Sequence, residues 1–443
     1  MVARNAPAPA TMPFHLPHDG SGKRRAGPRE TVALLAGLMA LNAFAIDAMI
    51  PALPQIGSDL GVTTENMRQL VVIAYFFGFG VGQIFWGPLA DRFGRKPILA
   101  AGVALYAGFA LMCGVAGSFE LLIAGRVAMG ASAAVTRVLV TAMVRDLFEG
   151  EEMARVMSLV FMVFMLVPML APNIGQAILW VADWRAIFLV LAGYGAAMWL
   201  WSFAKLPETL HPEYRRALHG GEIWQGVKLA ATDRLSIGYT MALTTVFGVL
   251  TGYIASIQQI VFDVFDASGL IGLVFAAIAA PMVLASWGNS RVVGRFGLRR
   301  TGHGGLIAIV VMTVLHALVA EFTNEPLWLF VALMGLTFMS FAFTTSNFGT
   351  LAMTNMAPIA GTASSFQGVT GTIGGALLGL VIGQAFDGTQ LPFLVGCAVC
   401  ASVTLLLVLW TERGKLFGAI ERPAELEAEE DRAEATLPPD PDL

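Results

Sequence analysis

The chain has 443 residues, of which 56% are hydrophobic and 13% charged, with a formal net charge of −4. A soluble domain carries about 25% charged residues, so this chain lacks the polar surface to cover a globule in water. Its bases form short separated clusters rather than one basic stripe, which excludes a nucleic-acid binder, and the chain reads as an all-α integral membrane protein.

Residues 1–30 are rich in Pro, Ala and Gly and end in a basic cluster of Lys23, Arg24, Arg25 and Arg29. Such a segment cannot bury a core and is expected to be a disordered arm. The leader is long and the apolar run after it exceeds a signal-peptide core, so a retained span is expected rather than a cleaved signal. A membrane helix needs about 20 mainly apolar residues. Six such spans are predicted in the first half, at 31–53, 67–86, 97–116, 119–144, 153–179 and from Trp184 to about Phe203. Residues 205–234 then break the pattern with Lys205, Glu208, Arg215, Arg216, Lys228 and Arg234, and divide the chain into a bundle at 31–204 and a second at 235–411. Six more spans follow, at 235–261, 269–289, 303–320, 326–348, 361–386 and 391–410, before an acidic tail at 412–443. Cys113, Cys397 and Cys400 all fall in apolar runs. The last two have C-x-x-C spacing, but no basic neighbour makes a thiolate and no second pair completes a zinc site, so packing is the expected role.

Between the second and third spans lies Gly87-Pro88-Leu89-Ala90-Asp91-Arg92-Phe93-Gly94-Arg95-Lys96. This charged island resembles the signature loop of the major facilitator superfamily, matching at Gly87, Asp91, Arg92, Gly94, Arg95 and Lys96. A worn copy, Ser290 to Arg299, follows the eighth span, and Arg295-Phe296-Gly297 repeats Arg92-Phe93-Gly94. A match at the corresponding point of each half predicts a duplicated chain of two pseudo-symmetric six-helix bundles. Arg and Lys fall in alternate loops, so the positive-inside rule puts both termini, the signature loop and the central loop in the cytoplasm.

A narrower resemblance is to the Bcr/CflA-type drug:proton antiporters of bacterial inner membranes. It is carried by Asp47 with Ile50-Pro51-Ala52-Leu53-Pro54, by Met143-Val144-Arg145-Asp146-Leu147, by Trp184 to Phe188, by Leu206-Pro207-Glu208-Thr209-Leu210, and by Ala360 to Ser364. The resemblance implies a twelve-helix carrier, multidrug efflux of small lipophilic or cationic compounds in exchange for protons, and no cofactor beyond the proton gradient. Its partners would be a small-molecule substrate, protons and the lipid bilayer, with the chain acting as a monomer. The fifth span departs from the antiporters' glycine-rich motif, reading Ala171-Pro172-Asn173-Ile174-Gly175-Gln176. A proton symporter importing a metabolite is an alternative, and a polytopic membrane enzyme or sensor another. For ATP-driven transport or an enzyme, the chain has no Gly-Lys-Ser/Thr loop and no His-Glu-x-x-His.

Asp47 lies in the first span, where a charge costs about 2.5–3.5 kcal/mol on insertion scales. A carboxylate held away from water can exchange protons near neutral pH. Asp47 stands six residues before Leu53, and Arg126 seven residues after Phe119. At 1.5 Å per residue both lie roughly 10 Å below one surface, so the two are expected to pair as a proton and substrate site. Arg137, Gln258 and Asn347 are candidate cavity-lining residues, and His316 reads as structural. Asp91, Arg92 and Arg95 are expected to latch helix ends. Gly78 and Gly82, and Gly371, Gly375, Gly379 and Gly383, recur every four residues, which predicts close helix contact where the halves meet.

Overall fold

The structure, a computed structural model, describes residues 27–418 apart from 211–212 and 214–219. Nearly all of the expected N-terminal arm, most of the acidic tail and part of the central loop lie outside the described residues. Among the described residues the chain is helical throughout, with no strand. The first half comprises α1 (Pro28–Asp47), α2 (Leu53–Asp59), α3 (Leu70–Phe93), α4 (Arg95–Gly114), α5 (Phe119–Leu147), α6 (Gly150–Leu179) and α7 (Trp184–Lys205). After α8 (Gly220–Thr232), the second half comprises α9 (Arg234–Gln259), α10 (Ile271–Phe296), α11 (Leu298–Phe322), α12 (Leu327–Ala352), α13 (Ala360–Gln384) and α14 (Leu391–Thr411). Eleven segments, with α1 and α2 taken together, are long and apolar enough to cross a membrane. The thirty-residue α6 is the twelfth. The result is twelve membrane helices in two six-helix bundles.

The first span differs from its prediction in an informative way. The prolines do not end it; they break it. Pro51 has no N–H to give the carbonyl of Asp47, so the α-helical ladder stops there. Proline is tolerated in the first turn of a helix, where its N–H has no intrahelical acceptor. Pro51 accordingly sits in the first turn of a 3₁₀ segment, Ile50–Ala52, and Pro54 in the first turn of α2. The span therefore continues to Asp59, and Asp47 stands near its middle rather than near its outer end.

The signature segment also differs from a loop. α3 runs on through Pro88 and Asp91 to Phe93, and α4 starts at Arg95. Gly94 alone joins them, at φ 104° and ψ 154°. Its counterpart in the second half is Gly297, which joins α10 to α11 at φ 82° and ψ 164°. This backbone region is open essentially only to glycine. One chain reversal, made by one residue type in one conformation at the repeat position, is the structural form of the duplication.

Most glycines of the four-residue repeats serve packing inside each half. A Cβ on Gly78 or Gly82 would meet the α5 backbone at Val127 or Ala131, and one on Gly375 or Gly379 would meet Phe247 or Thr251 of α9. Only Gly383 of the set faces the other half, against Gln69. The spacing reports a close helix neighbour, and each of these helices has its closest neighbour in its own bundle. Within the polar central stretch, α8 buries Ala230 against Met356 and Ala363.

The two halves meet along α3 with α13 and α6 with α10. Hydrogen bonds join them at the face opposite the basic loops. Asn66 donates to the carbonyls of Gln384 (3.1 Å) and Phe386 (2.9 Å), Gln69 to that of Gly383 (2.9 Å), and Gln259 to Asn66 Oδ1 (2.9 Å). Gln69 also donates to Gln259, and Gln384 to the carbonyl of Asn66 at 2.7 Å. Asn173 of α6 donates to the carbonyl of Gly272 of α10 at 3.1 Å. Midway along, Gln83 donates to Thr372 Oγ1 at 3.2 Å. Beyond Gln83, toward the basic loops, no hydrogen bond between the halves is present among the described residues. The hydrogen bonds between the halves thus gather at the far face.

Candidate functional site

Asp47 lies where α1 breaks and is buried, and its Oδ1 has no hydrogen-bond partner. The carbonyl of its neighbour Ala48 is approached by Gly175 of α6. A Cβ on that glycine would stand 1.8 Å from the oxygen. Gly175 belongs to the divergent Ala171–Gln176 segment, whose Asn173 reaches the other half. One stretch of α6 thus supports both the break in the first span and the hydrogen bonding of the far face.

Arg126 is fully buried but does not pair with Asp47. Its Nε donates to the carbonyl of Val71 at 2.8 Å and its Nη1 to that of Ala45 at 3.0 Å, and the guanidinium lies 4.5 Å from the Tyr75 ring centroid. The expected ion pair is therefore replaced by carbonyl contacts to α1 and α3. The shared depth was counted from a span ending at Leu53, and the continuation through α2 removes that end. Arg126 clamps the backbone two residues before the acid.

A second polar chain lies one turn below. Tyr75 donates to Asn42 Oδ1 at 3.1 Å, and Asn42 donates to Thr136 Oγ1 at 2.6 Å, joining α3, α1 and α5. All three side chains are buried. Sequence reasoning passed over them because uncharged polar residues at helix positions carry no signal by themselves. From the second half, α9 contributes Tyr253, Ser256 and Gln258, each buried and each with an unpartnered polar atom. Asp47 lies within electrostatic range of Tyr75 and Tyr253. Phe76 of α3 meets Phe247 of α9 edge-on at 6.2 Å, an apolar contact across the same interface.

The other candidates separate. Arg137 is exposed on α5 and is not part of the buried surroundings of Asp47. Gln258 is buried on α9 with its Nε2 unpartnered. Asn347 instead ties α12 to α10, donating to Asn289 Oδ1 at 3.0 Å, although its own Oδ1 is unpartnered. His316 pairs with Glu325 at 2.8 Å and lies edge-on to Phe330.

The signature charges form a knot at the basic face. Arg95 reaches Asp91 at 2.8 Å and Asp146 at 3.4 Å. The Glu208 carboxylate accepts from the backbone N–H groups of Arg95 (2.8 Å) and Lys96 (3.3 Å), capping α4 where a helix N-terminus favours an anion. Thr209 donates to Asp146 at 2.9 Å. Arg92 stands apart, with its guanidinium 5.3 Å from the Phe93 ring. Gly87 lies inside α3, and the Lys96 ammonium lies 5.5 Å from the Phe203 ring. All these contacts join helix ends of the first half.

The major facilitator superfamily model matches residues 35–378. The chain belongs to the major facilitator superfamily. Among its relatives, a bicyclomycin resistance protein homolog of Haemophilus influenzae is 29% identical over 388 residues, covering 85% of this chain and 94% of that one. A chloramphenicol resistance protein of Pseudomonas aeruginosa is 28% identical, covering 85% and 89%. The multidrug resistance protein MdtL of Klebsiella pneumoniae is 26% identical, covering 84% and 93%. In fold, a D-xylose–proton symporter superposes with a TM-score of 0.67 at 14% identity, covering 88% of this chain and 99% of that one.

Proposed function

We propose that the chain is a carrier that exports small lipophilic compounds, cations among them, in exchange for protons. The observation that carries the reading is Asp47, a buried carboxylate with an unpartnered oxygen at a broken membrane helix, facing the seam between two movable bundles. Broken helices near mid-membrane are where secondary carriers hold substrates and coupling ions. Proton and substrate compete for this one acid, so loading either releases the other. The relatives' names, which speak of bicyclomycin, chloramphenicol and multidrug resistance, support efflux as the direction and drugs as the cargo.

The basic loops then face the cytoplasm of a bacterial cell with the protein in its inner membrane. The proton gradient supplies the energy, and the chain works as a monomer without a cofactor and without catalysing a reaction. The Asp91–Arg95–Asp146 knot, with Glu208, keeps the first half rigid as it rocks, and Arg126 holds the broken helix in shape. Susceptibility of cells with and without the chain, measured over a panel of lipophilic antibiotics and dyes, tests the reading. Resistance to at least one compound, abolished by Asp47→Asn, is expected. Unchanged susceptibility throughout would overturn it, and vesicles with opposite proton gradients distinguish export from symport.

A further inference from the structure

At the basic face the two halves differ in their charges. In the first half Arg95 meets Asp91 and Asp146, and Glu208 caps α4. The second half has Gly294 at the place of Asp91, and α12 carries no acid to match Asp146 of α5. The bases are nevertheless present: Arg291 and Arg295 on α10, Arg299 and Arg300 on α11. Glu412, reaching in from the end of α14, pairs with Arg299 at 3.0 Å and accepts from Tyr239. Arg291 and Arg295 lie over the rings of Trp287 and Phe296, at 4.4 and 5.5 Å. Arg300 has no acidic partner among the described residues. Arg291, Arg295 and Arg300 are all exposed.

Arg300 stands at the surface end of a groove of about 540 Å³ between α10, α11 and α12. α10 and α11 part at the Gly297 hinge, and each packs far more on α12 than on the other. Phe296, Gly304, Ala308 and Phe343 line the groove below Arg300. Phe417 lines it too, fixed where its N–H donates to His303 Nδ1 at 3.1 Å. Gly304 is exposed, and a Cβ there would meet nothing within 4 Å, so the groove opens outward. Arg300 to Ala308 spans about 12 Å of helix, most of one leaflet's half of a roughly 30 Å hydrocarbon core. The groove is cationic at the membrane surface and apolar below it. Basic pockets between membrane helices at this face suit anionic headgroups. The acidic tail is the rival occupant, but residues 419–443 scatter their few aliphatic side chains among acids and prolines and offer no apolar run to fill the groove.

We infer that this groove is a site for an anionic phospholipid of the surrounding bilayer. The phosphate pairs with Arg300, and one acyl chain lies along Gly304 and Ala308. The lipid gives the second half the negative charge that Asp91 and Asp146 give the first. Seated there, it bridges α10 and α11 across the Gly297 hinge and stiffens that end of the bundle.

The test uses delipidated full-length protein in detergent, with thermal unfolding followed as dioleoyl-phosphatidylglycerol is titrated in. Dioleoyl-phosphatidylcholine has the same chains without the net charge, and inorganic phosphate has the charge without chains. The midpoint should rise saturably with phosphatidylglycerol and with neither of the others. Arg300→Gln should raise the half-saturating concentration about fivefold, the worth of one base at an anionic lipid surface. Gly304→Leu fills the groove without touching a charge and should weaken the response at least as much. Lys228→Gln, on the exposed side of α8, should change it less than twofold. An equal response to phosphatidylcholine would make the groove an ordinary apolar surface, and an equal response to phosphate a soluble-anion site; either overturns the inference. So does a loss in Lys228→Gln that matches Arg300→Gln, or an unchanged half-saturation in Gly304→Leu. No response to phosphatidylglycerol also overturns it, and a lipid-free midpoint already lowered by Arg300→Gln would then assign Arg300 to the tail.

Discussion

Gly175→Ala is the most direct perturbation of the broken first helix. The added methyl would stand 1.8 Å from the Ala48 carbonyl oxygen and 2.8 Å from its carbon. A carbon–oxygen contact begins at about 3.3 Å, so α6 and the break must separate by about 1.5 Å. The obstacle is backbone, which has no rotamer to move aside. Forced overpacking of this kind costs about 1–3 kcal/mol. The displacement runs along α6 in two directions, toward Asp47 and toward the Asn173–Gly272 hydrogen bond. Thermal unfolding in detergent should show a lowered midpoint, and substrate-driven proton release from liposomes should slow several-fold. Ile174→Ala, on an exposed side of the same helix, is the control and should leave both nearly unchanged. A wild-type midpoint together with wild-type exchange in Gly175→Ala would refute the reasoning, because α6 would then not rest on the Ala48 carbonyl.

Three further outcomes follow from the geometry. Alanine at Gly94 or at Gly297 forces a side chain into a glycine-only conformation and should cost about 1–3 kcal/mol in each case. Thermal unfolding checks this, and a loss at one position with none at the other would contradict the equivalence of the hinges. Glu208→Gln weakens the cap on α4 by about 1 kcal/mol; it should lower thermal stability and turnover while substrate affinity stays within about twofold, and a selective loss of affinity would contradict a role confined to helix ends. Gln69→Leu removes amide contacts to Gly383 and Gln259, so amide hydrogen exchange over residues 66–70 and 383–386 should quicken, and unchanged exchange would deny that these amides hold the far face.

The sequence carried the fold because membrane spans declare themselves by length and apolarity, and because the Arg-Phe-Gly repeat marked the duplication directly. It also drew attention to Asp47, since an acid inside an apolar run has few purely structural reasons to be there. What lay beyond it was three-dimensional. Pro51 reads equally well as a stop or as a break, and only the continuation through Leu53–Asp59 decides between them. Arg126 and Asp47 had the right charges, but the guanidinium is held by the carbonyls of Ala45, where α1 ends, and of Val71 in α3. Asn42, Thr136 and Tyr253 matter through their partners or their lack of one, and a linear chain does not display partners. Glu208 stood in a recognised motif, yet its capping of α4 depends on α7 ending beside α4.

The central claim is that one buried acid exchanges protons for substrate. Substrate-induced proton release from liposomes, compared between the wild-type chain and Asp47→Asn, tests it most directly. The account predicts release on adding a transported compound to the wild-type protein and none from the variant, with the variant still folded. Equal release from both would contradict it.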